Sequence, residues 1–127
     1  MSTVFVDTIK NQAGTTSLAA DKLPDMLSGS AKAWANLNGS SFGLRDDFNI
    51  STAVDNGTGN YTLNFSNAFA NTNYSAVVTS DDSGSSRAFA QSKTYATSSF
   101  VATMKRGDTG ATVDKDIVIA AVHGDLA

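Results

Sequence analysis

Over much of the chain, apolar and polar residues alternate one by one. In Asn60-Tyr61-Thr62-Leu63-Asn64-Phe65, an extended backbone sends Tyr61, Leu63 and Phe65 to one side and Asn60, Thr62 and Asn64 to the other. Residues 51–54 lead into a turn built on Asn56, Gly57 and Gly59, so the whole stretch 51–65 predicts a β-hairpin with one buried face. Ala31, Ala33, Ala35 and Leu37 alternate in the same way against Lys32, Trp34, Asn36 and Asn38, and a turn follows at residues 38–41. The next strand should point Phe42, Leu44 and Phe48 inward. After a polar turn at residues 71–73 come predicted strands over 74–79, 88–92 and 99–104, the last with Phe100, Ala102 and Met104 on one face. Residues 117–122, Ile-Val-Ile-Ala-Ala-Val, do not alternate and predict a central strand buried on both faces. Residues 80–86 lack any apolar anchor and predict an exposed loop.

The first thirty residues follow another pattern. Residues 3–10 read as a strand whose two faces look alike, which points to a partner in another chain. Leu18, Leu23, Met26 and Leu27 approach helical spacing around Pro24, the only proline, so a short helix from Pro24 to Gly29 and an ordered linker are both open. About eight short strands with almost no helix predict an all-β fold, an antiparallel β-sandwich or jelly-roll-like domain over residues 31–127. Residues 1–30 would form an attachment or trimerisation arm.

Composition narrows the function. Only 17% of residues are charged, so the wetted surface must be made of Ser, Thr, Asn and Gly. The formal net charge of −3, with nine Lys and Arg scattered along the chain, argues against a nucleic-acid partner, which would need a clustered basic patch. There is no cysteine, hence no disulfide or thiolate metal site. No secretory signal and no apolar run of spanning length is seen, so manufacture in a cytoplasm without membrane insertion is expected.

Candidate chemistry is sparse. His123 is the only histidine and has no second ligand or nucleophile near it in sequence. Asp108-Thr109-Gly110-Ala111 spells the tetrad of retroviral-type aspartic proteases, and Arg106-Gly107-Asp108 the tripeptide read by integrins; both are also what a solvated turn looks like. Six Asn-x-Ser/Thr sequons, beginning at Asn38, Asn49, Asn56, Asn60, Asn64 and Asn73, follow from composition. Asp81, Asp82 and Ser83, or Asp46 with Asp47, could offer oxygens to calcium, but the spacing is wrong for a helix-loop-helix site and the chain has no Glu. Trp34, Tyr61, Tyr74 and Tyr95 could stack on sugars or fill a core. No cofactor, no metal and no enzymatic activity is expected.

The ordered series Ala31-Lys32-Ala33-Trp34-Ala35-Asn36-Leu37-Asn38-Gly39, Leu44-Arg45-Asp46-Asp47-Phe48-Asn49-Ile50-Ser51, Asp55-Asn56-Gly57-Thr58-Gly59-Asn60-Tyr61-Thr62-Leu63-Asn64-Phe65, Asn73-Tyr74 and Val122-His123-Gly124-Asp125 resembles the C-terminal domain of bacteriophage tail fibre proteins. Val6-Asp7-Thr8-Ile9-Lys10-Asn11 is similar to the stretch that precedes that domain, where a long shaft would lie; here the shaft is missing. The resemblance implies a virion structural protein on the tail fibre or capsid surface. It would be a homotrimer joined to other virion proteins through its N-terminal arm, binding a bacterial surface glycan or protein. It would be a fibre tip, a short fibre or a capsid or tail decoration that binds no receptor. For a receptor-binding tip, the expected contact residues are Asp81, Asp82, Ser83, Arg87, Lys105, Arg106 and Asp108, in two loops.

Overall fold

A computed structural model describes residues 8–10, 17–19, 27–81 and 87–127. The chain divides into two compact units, Met1–Ser30 and Ala31–Ala127. In the first, β1 (Thr8–Lys10) pairs antiparallel with β2 (Ser17–Ala19), Ile9 standing opposite Leu18. β1 thus has one partner within its own chain, and Leu18 belongs to a strand, not to a helix. Residues 27–29 make one helical turn, while the rest of the predicted helix, and residues 3–7 of the predicted strand, lie outside the described residues.

The second unit is an antiparallel β-sandwich. Its strands are β3 (Ala33–Asn38), β4 (Gly43–Phe48), β5 (Ile50–Asp55), β6 (Asn60–Phe65), β7 (Ser75–Ser80), β8 (Ala88–Ala96), β9 (Ser99–Arg106) and β10 (Val118–His123). One sheet runs β4-β3-β10-β7 and the other β5-β6-β9-β8, each strand antiparallel to its neighbours. The alternation seen in the sequence sorts the faces as expected. From β3 and β10, Ala33, Ala35, Leu37, Val118, Ala120 and Val122 turn inward; from β6 and β9, Tyr61, Leu63, Phe65, Phe100, Ala102 and Met104 meet them. At one end Phe65, Phe69 and Tyr74 pack edge to face or tilted, with ring centroids 4.6–5.6 Å apart.

Two expectations fail, for different reasons. Phe48 points outward and is 53% exposed. Leu44 opposes Leu37 and Asp46 opposes Asn36, so Arg45 is an extra residue, a β-bulge that shifts the period-2 phase and sends Phe48 to the face opposite Leu44. β10 is central but buried on one face only: Val118, Ala120 and Val122 are inside while Ile119 is 42% exposed. In a two-layer antiparallel sandwich no third layer covers the outside of a sheet, whatever residues stand there.

The chain crosses from the first sheet to the second at Asn49, between β4 and β5. Its φ of 57° is the left-handed conformation that Asn tolerates better than most residues. The side chain fixes the corner: Nδ2 donates to the carbonyls of Lys32 at 3.0 Å and Asn67 at 3.1 Å, and Oδ1 accepts from the Asn67 amide at 2.7 Å.

Leu63 is 1% exposed at the centre of this core. Leu63→Asp would bury an unpaired carboxylate and remove apolar contact, a loss of more than about 4 kcal/mol. The expected result is insoluble or unfolded protein, read by far-ultraviolet circular dichroism and the soluble fraction on expression.

Candidate functional site

Strand direction decides what gathers at each end of the sandwich. β3, β5, β7 and β9 finish at one end, so residues 39–42, 56–59 and 107–117, with Asp81 and Arg87, lie together there where the chain leaves and re-enters the strands. The opposite end holds the start of β3, the Asn49 corner, residues 66–74 and the C-terminal residues, which bridge to Phe69. The sandwich thus has a loop end remote from the end where the chain enters from residue 31.

The long connection 107–117 is tied down by backbone and side-chain bonds. Gly107 donates to the Arg87 carbonyl at 2.7 Å, Gly110 to Arg106 at 2.9 Å, and Arg106 to Ala111 at 2.8 Å, which closes the turn containing the Asp108-Thr109-Gly110-Ala111 tetrad. Asp114 supplies the deepest anchor. Its Oδ1 accepts the Gly59 amide at 2.6 Å and the Tyr61 hydroxyl at 2.8 Å, with the Gly39 carbonyl a second acceptor for that hydroxyl at 3.1 Å. Gly39 in turn donates to the Lys115 carbonyl at 2.9 Å. A Cβ on Gly39 would come within 2.5 Å of Tyr61 Oη, and one on Gly59, whose φ is +62°, within 2.5 Å of the Val113 carbonyl oxygen. Arg45, displaced by its bulge, donates from Nη1 to the Asp116 carbonyl at 2.6 Å.

Of the residues expected to bind a receptor, the described ones are at or near this end, in different situations. Arg106 and Asp108 form a solvent-facing ion pair at 3.3 Å. Desolvation raises the Asp108 carboxyl, but the bond and charge of the Arg106 guanidinium, with the Thr109 and Asp108 backbone amides, together outweigh it and hold the group below its usual range. Arg87 is exposed, and its carbonyl joins its loop to the Arg106 turn. Asp81 is partly occupied: its amide donates to the Ile117 carbonyl at 3.0 Å and its Oδ1 accepts the Ile117 amide at 3.2 Å. Lys105 stands opposite Phe89 on the outer face of the second sheet, to one side of the loop tip. Asp82 and Ser83 lie outside the described residues.

Of the aromatic residues considered for sugar stacking, Tyr61 and Tyr74 belong to the core, while Trp34 and Tyr95 are 37% and 39% exposed. His123 is exposed at the end of β10 opposite Ser75. Among the described residues no three His, Cys, Asp or Glu side chains converge as metal ligands would. Sequence reading missed Asp114 and Arg45, because their partners are 53 and 71 residues away and no local pattern links them. Compared with protein-family models, curated proteins and solved structures, the chain matches none.

The Tyr61 bond predicts two measurements. Tyr61→Phe removes a hydrogen bond to a carboxylate, and stability in urea should fall by about 2 kcal/mol. Burial, and next to it the Asp114 bond, raise the Tyr61 phenol well above its ordinary 10, while burial and the neighbouring Tyr95 push Tyr74 up to about 12. Below pH 10 folded and unfolded chains both keep these protons, so they contribute no pH dependence. Between about pH 10 and 12 the unfolded chain gives them up first, so stability falls as pH rises. Alkaline unfolding should set in within that window, followed by phenolate absorbance together with circular dichroism.

Proposed function

We propose that this protein is a bacteriophage virion component, a trimeric tail fibre or fibre tip that binds the surface of the bacterial host through the loop end of its sandwich. The ordered tail-fibre-like motifs over residues 31–125 support this reading. One structural observation carries it furthest: the four loops lie at the end opposite the entry from residue 31, the polarity a tip needs if it is held at one end and reads a surface with the other. The loop end combines rigidity with exposed polar groups. Residues 107–117 are fastened by Asp114, Gly39 and Gly59, while the guanidinium of Arg106 and the carboxylate of Asp108 face water. Recognition sites placed on a rigid scaffold lose little conformational freedom on binding.

Affinity in this mechanism comes from number. Three weak sites on one trimer, and several trimers on one particle, raise avidity through effective concentration. No step of bond making or breaking is involved, and the glycan or protein bound is a component of the host's outer surface.

The test is binding of labelled full-length protein to a panel of bacterial strains, with competition by unlabelled protein against phage adsorption. Saturable binding that protects cells supports the reading; saturable binding to phage heads with none to any cell removes it in favour of decoration. Exchanging residues 82–86 for a Gly-Ser run of equal length together with Arg106→Ala should lower cell binding at least tenfold. The melting temperature should stay within about 2 °C, since the Arg106 side chain faces solvent and the exchange keeps the length of the connection.

A further inference from the structure

The outer faces of the two sheets differ in kind. On β5-β6-β9-β8 the outward side chains include three polar pairs: Asn56 Nδ2 donates to Thr62 Oγ1 at 2.8 Å, Asn64 Nδ2 to Thr52 Oγ1 at 3.0 Å, and Thr103 Oγ1 to Asn60 Oδ1 at 3.2 Å. Val54, Val101 and Phe89 also point outward there, but each stands opposite a polar or charged residue, Thr62, Lys93 or Lys105, and no two stand opposite one another. On β4-β3-β10-β7 the registers put Phe48 opposite Trp34, Trp34 opposite Ala121, and Ala121 opposite Val77. All four point outward, in one unbroken apolar row across the sheet. Phe48 is 53% exposed, Trp34 37% and Val77 62%, and Ile119 in the adjoining row is 42% exposed.

The bulge at Arg45 makes the row continuous, since without it Phe48 would lie inside and the β4 edge would carry no apolar residue. Of the remaining outward positions, the charged ones are Asp46 and the bulged Arg45, whose Nη1 donates to Asn36 Oδ1 at 3.5 Å, both on the β4 edge; Asn36, Asn38, Ser75, Thr79 and His123 complete the face. Depletion of charge around an aromatic centre is the composition of an interface core.

Phe48, Trp34, Val77 and Ile119 together leave on the order of 400 Å² of apolar surface in water, the size of the largest patch on an ordinary monomer, which is often a functional one. The whole face measures roughly 20 by 20 Å in outline. With its side chains it offers area of the order of the 800 Å² that one partner gives a stable interface.

We propose that this face is where copies of the chain pack on one another. The row is self-complementary: its β4-β3 half carries the large Phe48 and Trp34, its β10-β7 half the small Ala121 and Val77. The large half of one copy therefore seats on the small half of the next, which a two-fold pair and a head-to-tail ring both allow; the trimer reading selects the ring. With strands parallel to the ring axis, every copy turns its loop end the same way. The inference rests on the trimer reading above for the number of copies and adds the surface that makes it.

Sedimentation equilibrium of the full chain tests it. Val77→Lys alters an exposed edge-strand side chain and should convert the wild-type assembly to single chains, with the circular dichroism of the folded sandwich retained. Thr52→Lys, on the other outer face, should leave the mass unchanged. A wild-type mass of three chains that Val77→Lys and Trp34→Lys both leave intact overturns this inference while the trimer stands. A wild-type mass of two chains that Val77→Lys dissociates overturns the trimer and supports the face as the contact. A wild-type mass of one chain overturns both.

Discussion

The sandwich depends on a match of sizes between its two layers. The β3 and β10 strands face inward largely with Ala33, Ala35, Ala120 and two valines, whereas β6 and β9 face them with Tyr61, Phe65, Phe100, Leu63 and Met104. Small side chains on one sheet make room for large ones on the other, so two sheets roughly 10 Å apart can interdigitate without voids. Phe69 and Tyr74 close one end of this core and the Tyr61 hydroxyl opens onto the other. Tyr61 therefore links layers and loops: its ring is core, and its oxygen holds the connection that forms much of the loop end.

The loop end owes its order to that bond and its neighbours. Twelve acidic residues are spread through the chain, and most have no structural task that the sequence could disclose. Asp114 differs because the fold brings it beside the Gly59 amide and the Tyr61 hydroxyl, two donors fixed by the β5–β6 turn. Gly59 meets two demands at once, a positive φ and a close approach of the Val113 backbone. The turn at residues 56–59 is thus both a hairpin connection and the seat of another loop, and it leaves the exposed side chains of Arg87, Arg106 and Asp108 free of any part in holding it.

A single extra residue in β4 shapes the outer surface. Arg45 leaves the pairing with β3, turns Phe48 outward and uses its own guanidinium to hold the Asp116 carbonyl at the start of β10. One bulge thereby contributes both to the anchoring of the loop end and to the apolar row on the outside of the sheet. Its effect is local in sequence and extends across four strands in space, since the registers carry Phe48 into line with Trp34, Ala121 and Val77.

By itself, the sequence determined the elements whose residues carry their own instructions. Period-2 alternation made β3, β6 and β9 legible together with their buried faces, and glycines with asparagine marked the turns, because pleat and turn chemistry act between near neighbours. Only the tertiary structure decided the phase of β4, since a bulge is a relation between two strands and leaves no mark in either. It also decided the exposure of Ile119, because an apolar run cannot state how many layers will cover it, and the pairing of β1 with β2. The candidate loops were legible as loops from their composition, but which of their residues are fastened and which face water depended on partners more than fifty residues away. Contacts of that range are set by where the strands come to lie, and no pattern within a strand records them.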